Sequence, residues 1–193
     1  MVKTIFAEGE PQSITEVLAN KDERAELQQT TFQKFPECTL LDVKLNIPGP
    51  IKNNHYLKEI FASGILNLEE ILQNSQLPFT LYKHWERATG SENFYLVNAD
   101  YRSVKKKAVE FENKQKINRL FDADVLIRKQ KQAISRKDLG LPVRKCFLCS
   151  KPAKECARSR THSVADLQNY ITSLYNEKFC KKSAKKFCKK SAN

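Results

Sequence analysis

Between about residues 39 and 127 the spacing of apolar side chains switches in the order strand, helix, strand, strand, helix, strand. The first strand is the sharpest signal. Leu41, Val43, Leu45 and Ile47 alternate with Asp42, Lys44 and Asn46, which predicts one buried face and one polar face. Pro48-Gly49-Pro50 ends it, and a helix is expected from about Asn53, built on Tyr56, Leu57, Ile60 and Phe61 and running past Gly64 to Leu72. Residues 79–87 and 94–97 read as strands joined by a turn around Gly90. Val104, Ala108 and Phe111 mark a basic helix over about 101–115. Residues 120–127 read as the fourth strand, with 133–136 as its expected hairpin partner. This order predicts an α+β fold with a ferredoxin-like βαββαβ core, whose helices cover one sheet face and leave the other open.

The core is expected to carry N-terminal helices, a Cys-rich loop and a C-terminal helix. Ser13-Ile14-Thr15-Glu16 is a capping-box pattern, opening a short helix with Ile14, Val17 and Leu18 on one face. A second helix is expected from about Asp22 to Phe32, stopped by Pro36. The last helix starts near Ser163 and carries Val164, Leu167, Ile171 and Leu174. Residues 1–177 are expected to form one domain with a Cys-rich subregion at 144–162. Residues 178–193 form a basic tail that repeats Lys-Phe-Cys-Lys-Lys-Ser-Ala at period eight.

Charge narrows the partners. Of the formal +12, seven charges are lysines of the acid-free tail, which leaves +5 for the body. Such a body suits an acidic protein or a polyphosphate as well as it suits nucleic acid. No apolar run approaches the roughly 18 residues of a spanning helix, and the start of the chain turns acidic at Glu8 before a secretory segment could form. A cytoplasmic protein is expected, with its six cysteines as thiols or metal ligands.

Four constellations could carry chemistry. In Arg119-Leu120-Phe121-Asp122-Ala123-Asp124-Val125-Leu126, alternation puts Asp122 and Asp124 on one face. Two neighbouring carboxylates repel unless a cation lies between them, and Mg²⁺ accepts such a pair together with phosphate oxygens. Asp42 on the neighbouring first strand is a candidate third member; the plain alternative is the wet face of an amphipathic strand. Ile47-Pro48-Gly49-Pro50-Ile51-Lys52-Asn53-Asn54 runs from a strand into a helix start, where free N–H groups and Lys52 suit phosphate. Ser135-Arg136-Lys137-Asp138 offers further phosphate-binding cations, or ordinary surface charge. Cys146, Cys149, Cys156 and His162 could close a tetrahedral Zn²⁺ site of structural type; buried or redox-active thiols and a disulfide are the alternatives.

Three stretches together resemble a known family. They are Ile47-Pro48-Gly49-Pro50-Ile51-Lys52 with Ile60-Phe61, then Arg119 through Leu126, then Ser135-Arg136-Lys137-Asp138 through Leu141-Pro142 to Arg144-Lys145-Cys146-Phe147-Leu148-Cys149, Cys156-Ala157-Arg158 and Thr161-His162. Asp22-Glu23-Arg24 also fits. Over roughly 13–175 the chain is similar to the apo-citrate lyase phosphoribosyl-dephospho-CoA transferases, the holo-acyl-carrier-protein synthases of citrate lyase. The tail and the Lys-rich helix at 101–115 depart from that pattern.

The resemblance implies a nucleotidyltransferase. It would take 2'-(5''-triphosphoribosyl)-3'-dephospho-CoA, attach the phosphoribosyl-dephospho-CoA group to a serine of the citrate lyase acyl carrier protein (gamma subunit), and release pyrophosphate. No membrane or nucleic-acid partner is expected. On physical grounds Asp122 and Asp124 are the expected catalytic and Mg²⁺-holding pair. Lys52, Arg119, Arg136, Lys137 and Arg24 are the expected substrate-binding cations. The rival readings are a nucleic-acid-binding protein, which would need aromatics on the open sheet face, and a zinc-stabilised interaction module without catalysis.

Overall fold

The computed structural model describes residues 1–130 and 132–180. They form two compact units, one of residues 9–143 and one that joins 1–8 to the chain from 144 onward.

The larger unit begins with α1 (Ile14–Lys34), which is continuous where the sequence suggested two helices. No Gly or Pro lies within it, so nothing stops the helix before Phe35 and Pro36. Its start is the expected capping box: Ser13 accepts from the Glu16 N–H, and the Glu16 carboxylate accepts from the Ser13 N–H at 2.7 Å. The expected inner face is wrong. Ile14 and Leu18 are 81% and 51% exposed, whereas Thr31 is fully buried.

Four strands follow: β1 (Thr39–Leu45), β2 (Phe79–Arg87), β3 (Gly90–Val97) and β4 (Phe121–Leu126). All pairings are antiparallel, in the order β2-β3-β1-β4. The connection from β1 to β2 contains α2 (His55–Asn74), and that from β3 to β4 contains α3 (Tyr101–Lys114). Asn54 caps α2 by accepting from the Leu57 N–H at 3.0 Å, and Asp100 caps α3. The chain around 133–136 is not a strand. It returns along β4 with one ladder-like bond, the Ile134 N–H donating to Val125 O at 2.8 Å.

Both faces of the sheet are covered over β1, β3 and β4. On one, Phe121 stacks on Phe61 of α2 (6.0 Å between centroids) and meets Phe111 of α3 edge-on (5.1 Å). On the other, Leu40, Trp85, Phe94 and Leu126 form a cluster packed by Leu27 and Phe32 of α1. The face expected to stay open is therefore closed by α1 over these residues, while Lys44, Asp122 and Asp124 keep partial exposure and the edge strand β2 stays largely exposed.

The free edge of β4 is covered by α3. Buried Lys105 donates to Ala123 O (3.2 Å), and buried Glu112 accepts from the Ala123 N–H (3.1 Å). The strand between Asp122 and Asp124 thus has its outward backbone groups satisfied and is held in place.

The smaller unit holds α4 (Ala153–Ser159) and α5 (Val164–Tyr175), the latter capped by Ser163 as the sequence predicts. The N-terminal segment is tied to its end: Asn176 Oδ1 accepts from the Val2 N–H at 2.9 Å, and Ile5 is fully buried. Residues 181–193, most of the expected tail, lie outside the described residues.

Candidate functional site

β1 and β4 bring the charged residues together by register. Asp42 lies opposite Asp124, and Lys44 lies opposite Asp122. Asp122 and Asp124 share the half-exposed face while Phe121, Ala123 and Val125 point into the core. That alternation is what the tripeptide implied.

Asp42 is not on a wet face. It has no exposed surface, and its Oδ2 accepts from Gln28 Nε2 of α1 at 2.9 Å. Lys44 Nζ lies between two carboxylates, 2.8 Å from Asp124 Oδ2 and 3.7 Å from Asp42 Oδ2. Arg24 of α1 grips buried Glu92 of β3 with two donors and stands 3.8 Å from Asp42. The cation between the aspartates is thus an ammonium supplied by the first strand, with a guanidinium behind it. Oδ1 of Asp42 has no hydrogen-bond partner.

The electrostatics follow from this crowding. Burial pushes the Asp42 carboxyl well above the ordinary aspartate value; Lys44 opposes the shift and Glu92 adds to it. Burial works against charge on Lys44, but Asp42, Asp124 and Asp122 outweigh it and hold the ammonium above its ordinary value. Arg24 is likewise held charged against burial by Glu92, Asp42 and Asp124. Asp122 and Asp124 carry hard oxygen donors on one half-exposed face, the donor type that a divalent cation such as Mg²⁺ takes.

The other expected phosphate ligands are placed separately. Lys52 Nζ donates to Ile47 O at 2.7 Å, closing the Pro-Gly-Pro turn on itself, and burial lowers its pKa. Arg136 is paired with buried Glu112, the residue that also holds the Ala123 N–H. Lys137 is exposed in a single 3-10 turn whose start is fixed by Ser135 and Asp138. Arg119 lies in the 3-10 stretch Lys116–Leu120 that feeds β4. Of the expected cations, Arg24 stands beside the aspartates through its contact with Asp42.

Sequence reasoning missed Lys44, Glu92 and Gln28. Lys44 was findable, since it alternates with Asp42 on one face. Gln28 and Glu92 gave no local signal, because their role depends on α1 lying across the sheet. That same covering removes the aromatic platform an RNA-binding sheet would need: Trp85 and Phe94 are buried, and the Arg87 guanidinium lies 3.8 Å over the Trp85 ring.

In the smaller unit Cys146, Cys149, Cys156 and His162 converge, with their ligand atoms all within 4.8 Å of one another. This cluster could hold a metal ion. Backbone N–H groups of Leu148 and Cys149 point at Cys146 and, against burial, hold its thiol below the ordinary value. Burial and the neighbouring Cys149 and Cys146 push Cys156 up to about 11.

The chain thus combines an antiparallel sheet that gathers aspartates beside Lys44 and Arg24 with a thiol–imidazole cluster in the smaller unit. A profile of the family described as "Apo-citrate lyase phosphoribosyl-dephospho-CoA transferase" matches residues 12–178. A protein of Streptococcus pyogenes serotype M18 named "Probable apo-citrate lyase phosphoribosyl-dephospho-CoA transferase" is 36% identical over 183 residues, 94% of each chain. The protein of Escherichia coli O1:K1 / APEC with that name, without "probable", is 32% identical over 89% of this chain and 93% of its own. "Protein CitXG" of Leuconostoc mesenteroides subsp. cremoris matches at 31% identity, with 88% of this chain aligned to 36% of that longer protein. The chain belongs to the apo-citrate lyase phosphoribosyl-dephospho-CoA transferase family and is an enzyme of the transferase class. No helix among the described residues is long and apolar enough to cross a membrane.

Proposed function

We propose that this enzyme transfers the phosphoribosyl-dephospho-CoA group from 2'-(5''-triphosphoribosyl)-3'-dephospho-CoA to a serine of the citrate lyase acyl carrier protein, releasing pyrophosphate. Family membership over nearly the whole chain supports the reading. The observation that carries the chemistry is the placement of Asp122 and Asp124 on one half-exposed face beside Lys44. The strand order and the helix in each crossover support a ferredoxin-like core beneath it. We take residues 1–177 as the transferase and 178–193 as its basic tail, in a cytoplasmic protein.

Asp122 and Asp124 would hold Mg²⁺, which supplies charge neutralisation for a triphosphate and its leaving group. The protein residues do the rest. Lys44 fixes the Asp124 carboxylate and limits its repulsion with Asp42. Arg24 adds positive potential behind the pair. The serine Oγ attacks the phosphorus nearest the ribose; the Oγ–P bond forms as the P–O bond to pyrophosphate breaks. One aspartate of the pair accepts the serine proton and passes it to water. Arg119 and Lys137 hold phosphate oxygens. Lys52 and Arg136 each carry a structural bond already, so phosphate binding is a second role for them.

The test is mass spectrometry of apo-carrier incubated with enzyme, the triphosphoribosyl precursor and Mg²⁺. The wild type adds the prosthetic group and releases pyrophosphate. Asp122→Ala and Asp124→Ala each abolish the addition while circular dichroism stays native. Full activity in either variant removes the assignment.

A further inference from the structure

We propose that Cys146, Cys149, Cys156 and His162 bind one Zn²⁺ as a closed, structural site. The proposal is independent of the transfer reaction.

Three observations carry it. The first is distance. A tetrahedron with Zn–S bonds of about 2.3 Å has ligand atoms about 3.8 Å apart. Here Cys149 Sγ is 3.4 Å from Cys156 Sγ and 3.3 Å from His162 Nε2, and the whole set lies within 4.8 Å. Small side-chain shifts admit an ion at the centre.

The second is the loop that presents the ligands. Cys146 and Cys149 flank a tight turn closed by the Cys146 N–H on Lys151 O and the Ala153 N–H on Arg144 O, both at 2.8 Å. Cys156 comes from the body of α4. His162 arrives after the chain reverses at Arg160, whose φ is +48°. Separate local structures thus aim four donors at one point.

The third is what else is present. Between residues 144 and 163 the only buried apolar side chains are Cys146 and Cys156. A segment of that length with no core of its own needs a cross-link to hold one conformation, and all three of its cysteines are free of disulfides. Four protein donors fill a tetrahedron and leave no position for substrate, so the ion braces the fold and takes no part in chemistry.

The test starts from full-length protein purified without chelator from zinc-supplemented cells. Elemental analysis should find one zinc per chain. Cobalt exchanged into the site should give the sulfur-to-cobalt charge-transfer and tetrahedral ligand-field bands of a thiolate site. Cys149→Ser should lose the metal, and Cys38→Ser, outside the cluster, should keep it. Removing the metal should speed hydrogen exchange at the Cys146, Ala153 and Cys156 amides. Zinc well below one per chain with no cobalt complex, a different stoichiometric metal, or a Cys149–Cys156 disulfide in the native protein would each overturn the proposal. A Cys149→Ser protein that retains full metal would do the same.

Discussion

Asp42 carries its carboxyl with no exposed surface, between the ammonium of Lys44 and the guanidinium of Arg24. Burial raises its pKa in the folded state, so over the interval between the ordinary aspartate value and that raised value the native protein holds the proton more often than the unfolded chain. Stability from this group is therefore fully present at low pH and is lost as pH rises through that interval. Asp42→Asn keeps an oxygen for Gln28 and removes the titration. Urea unfolding at a series of pH values should show the falling slope in the wild type and a flatter profile in the variant; parallel profiles would show that Asp42 ionises freely. The same residue marks where a sequence stops informing. Alternation placed Asp42, Asp122 and Asp124 on one face correctly, because side-chain direction along a strand is a local property. Whether that face is wet depends on a helix that precedes the sheet, and no local pattern in β1 encodes it.

α2 and β4 approach each other at Gly64, where a Cβ would stand 2.0 Å from Cζ of Phe121. Glycine serves here for clearance, since its position mid-helix otherwise costs stability. Gly64→Ala should destabilise by about 1–3 kcal/mol through overpacking. Because Phe121 directly precedes the Asp122–Ala123–Asp124 run, the variant should also slow transfer. Phe121→Leu in the same chain should recover part of the loss, and a double-mutant cycle in urea would measure it. Additive effects would show that the ring is not the obstacle. At this scale the chain was readable where caps and periodicity coincide: Ser13 with Glu16, Asn54 and Ser163 each open a helix as their sequence predicts. It was not readable for α1. Its apolar residues Ile14, Val17 and Leu18 suggested an inner face, yet the buried contacts come from Leu27, Thr31 and Phe32, on a face diluted by polar side chains. The Cys/His cluster sits between these cases. Spacing nominated the four ligands, but only folding could show that His162 comes within 3.3 Å of Cys149.

On the scale of the whole chain, a formal charge of +12 coexists with a site that gathers Asp42, Glu92, Asp122 and Asp124 about Lys44 and Arg24. The two facts serve different steps. In the proposed reaction the Asp122–Asp124 carboxylates would meet a metal-bound triphosphate once docked, while the overall positive field would act on the approach of an acidic carrier protein. Seven of the charges lie in residues 178–193, so removing that segment tests the second step without touching the first. Truncation at Lys178 should raise the KM for the carrier at low salt and leave kcat and the KM for the triphosphoribosyl precursor close to wild type. It should also flatten the fall of kcat/KM with ionic strength, because fewer charges then steer the encounter through a screened field. The measurement is carrier modification at a series of salt concentrations with saturating precursor. If KM for the carrier is unchanged at low salt, the body's +5 is sufficient for steering and the tail is passive in transfer. If kcat collapses as well, the segment does more than attract, and the separation of approach from chemistry argued here fails.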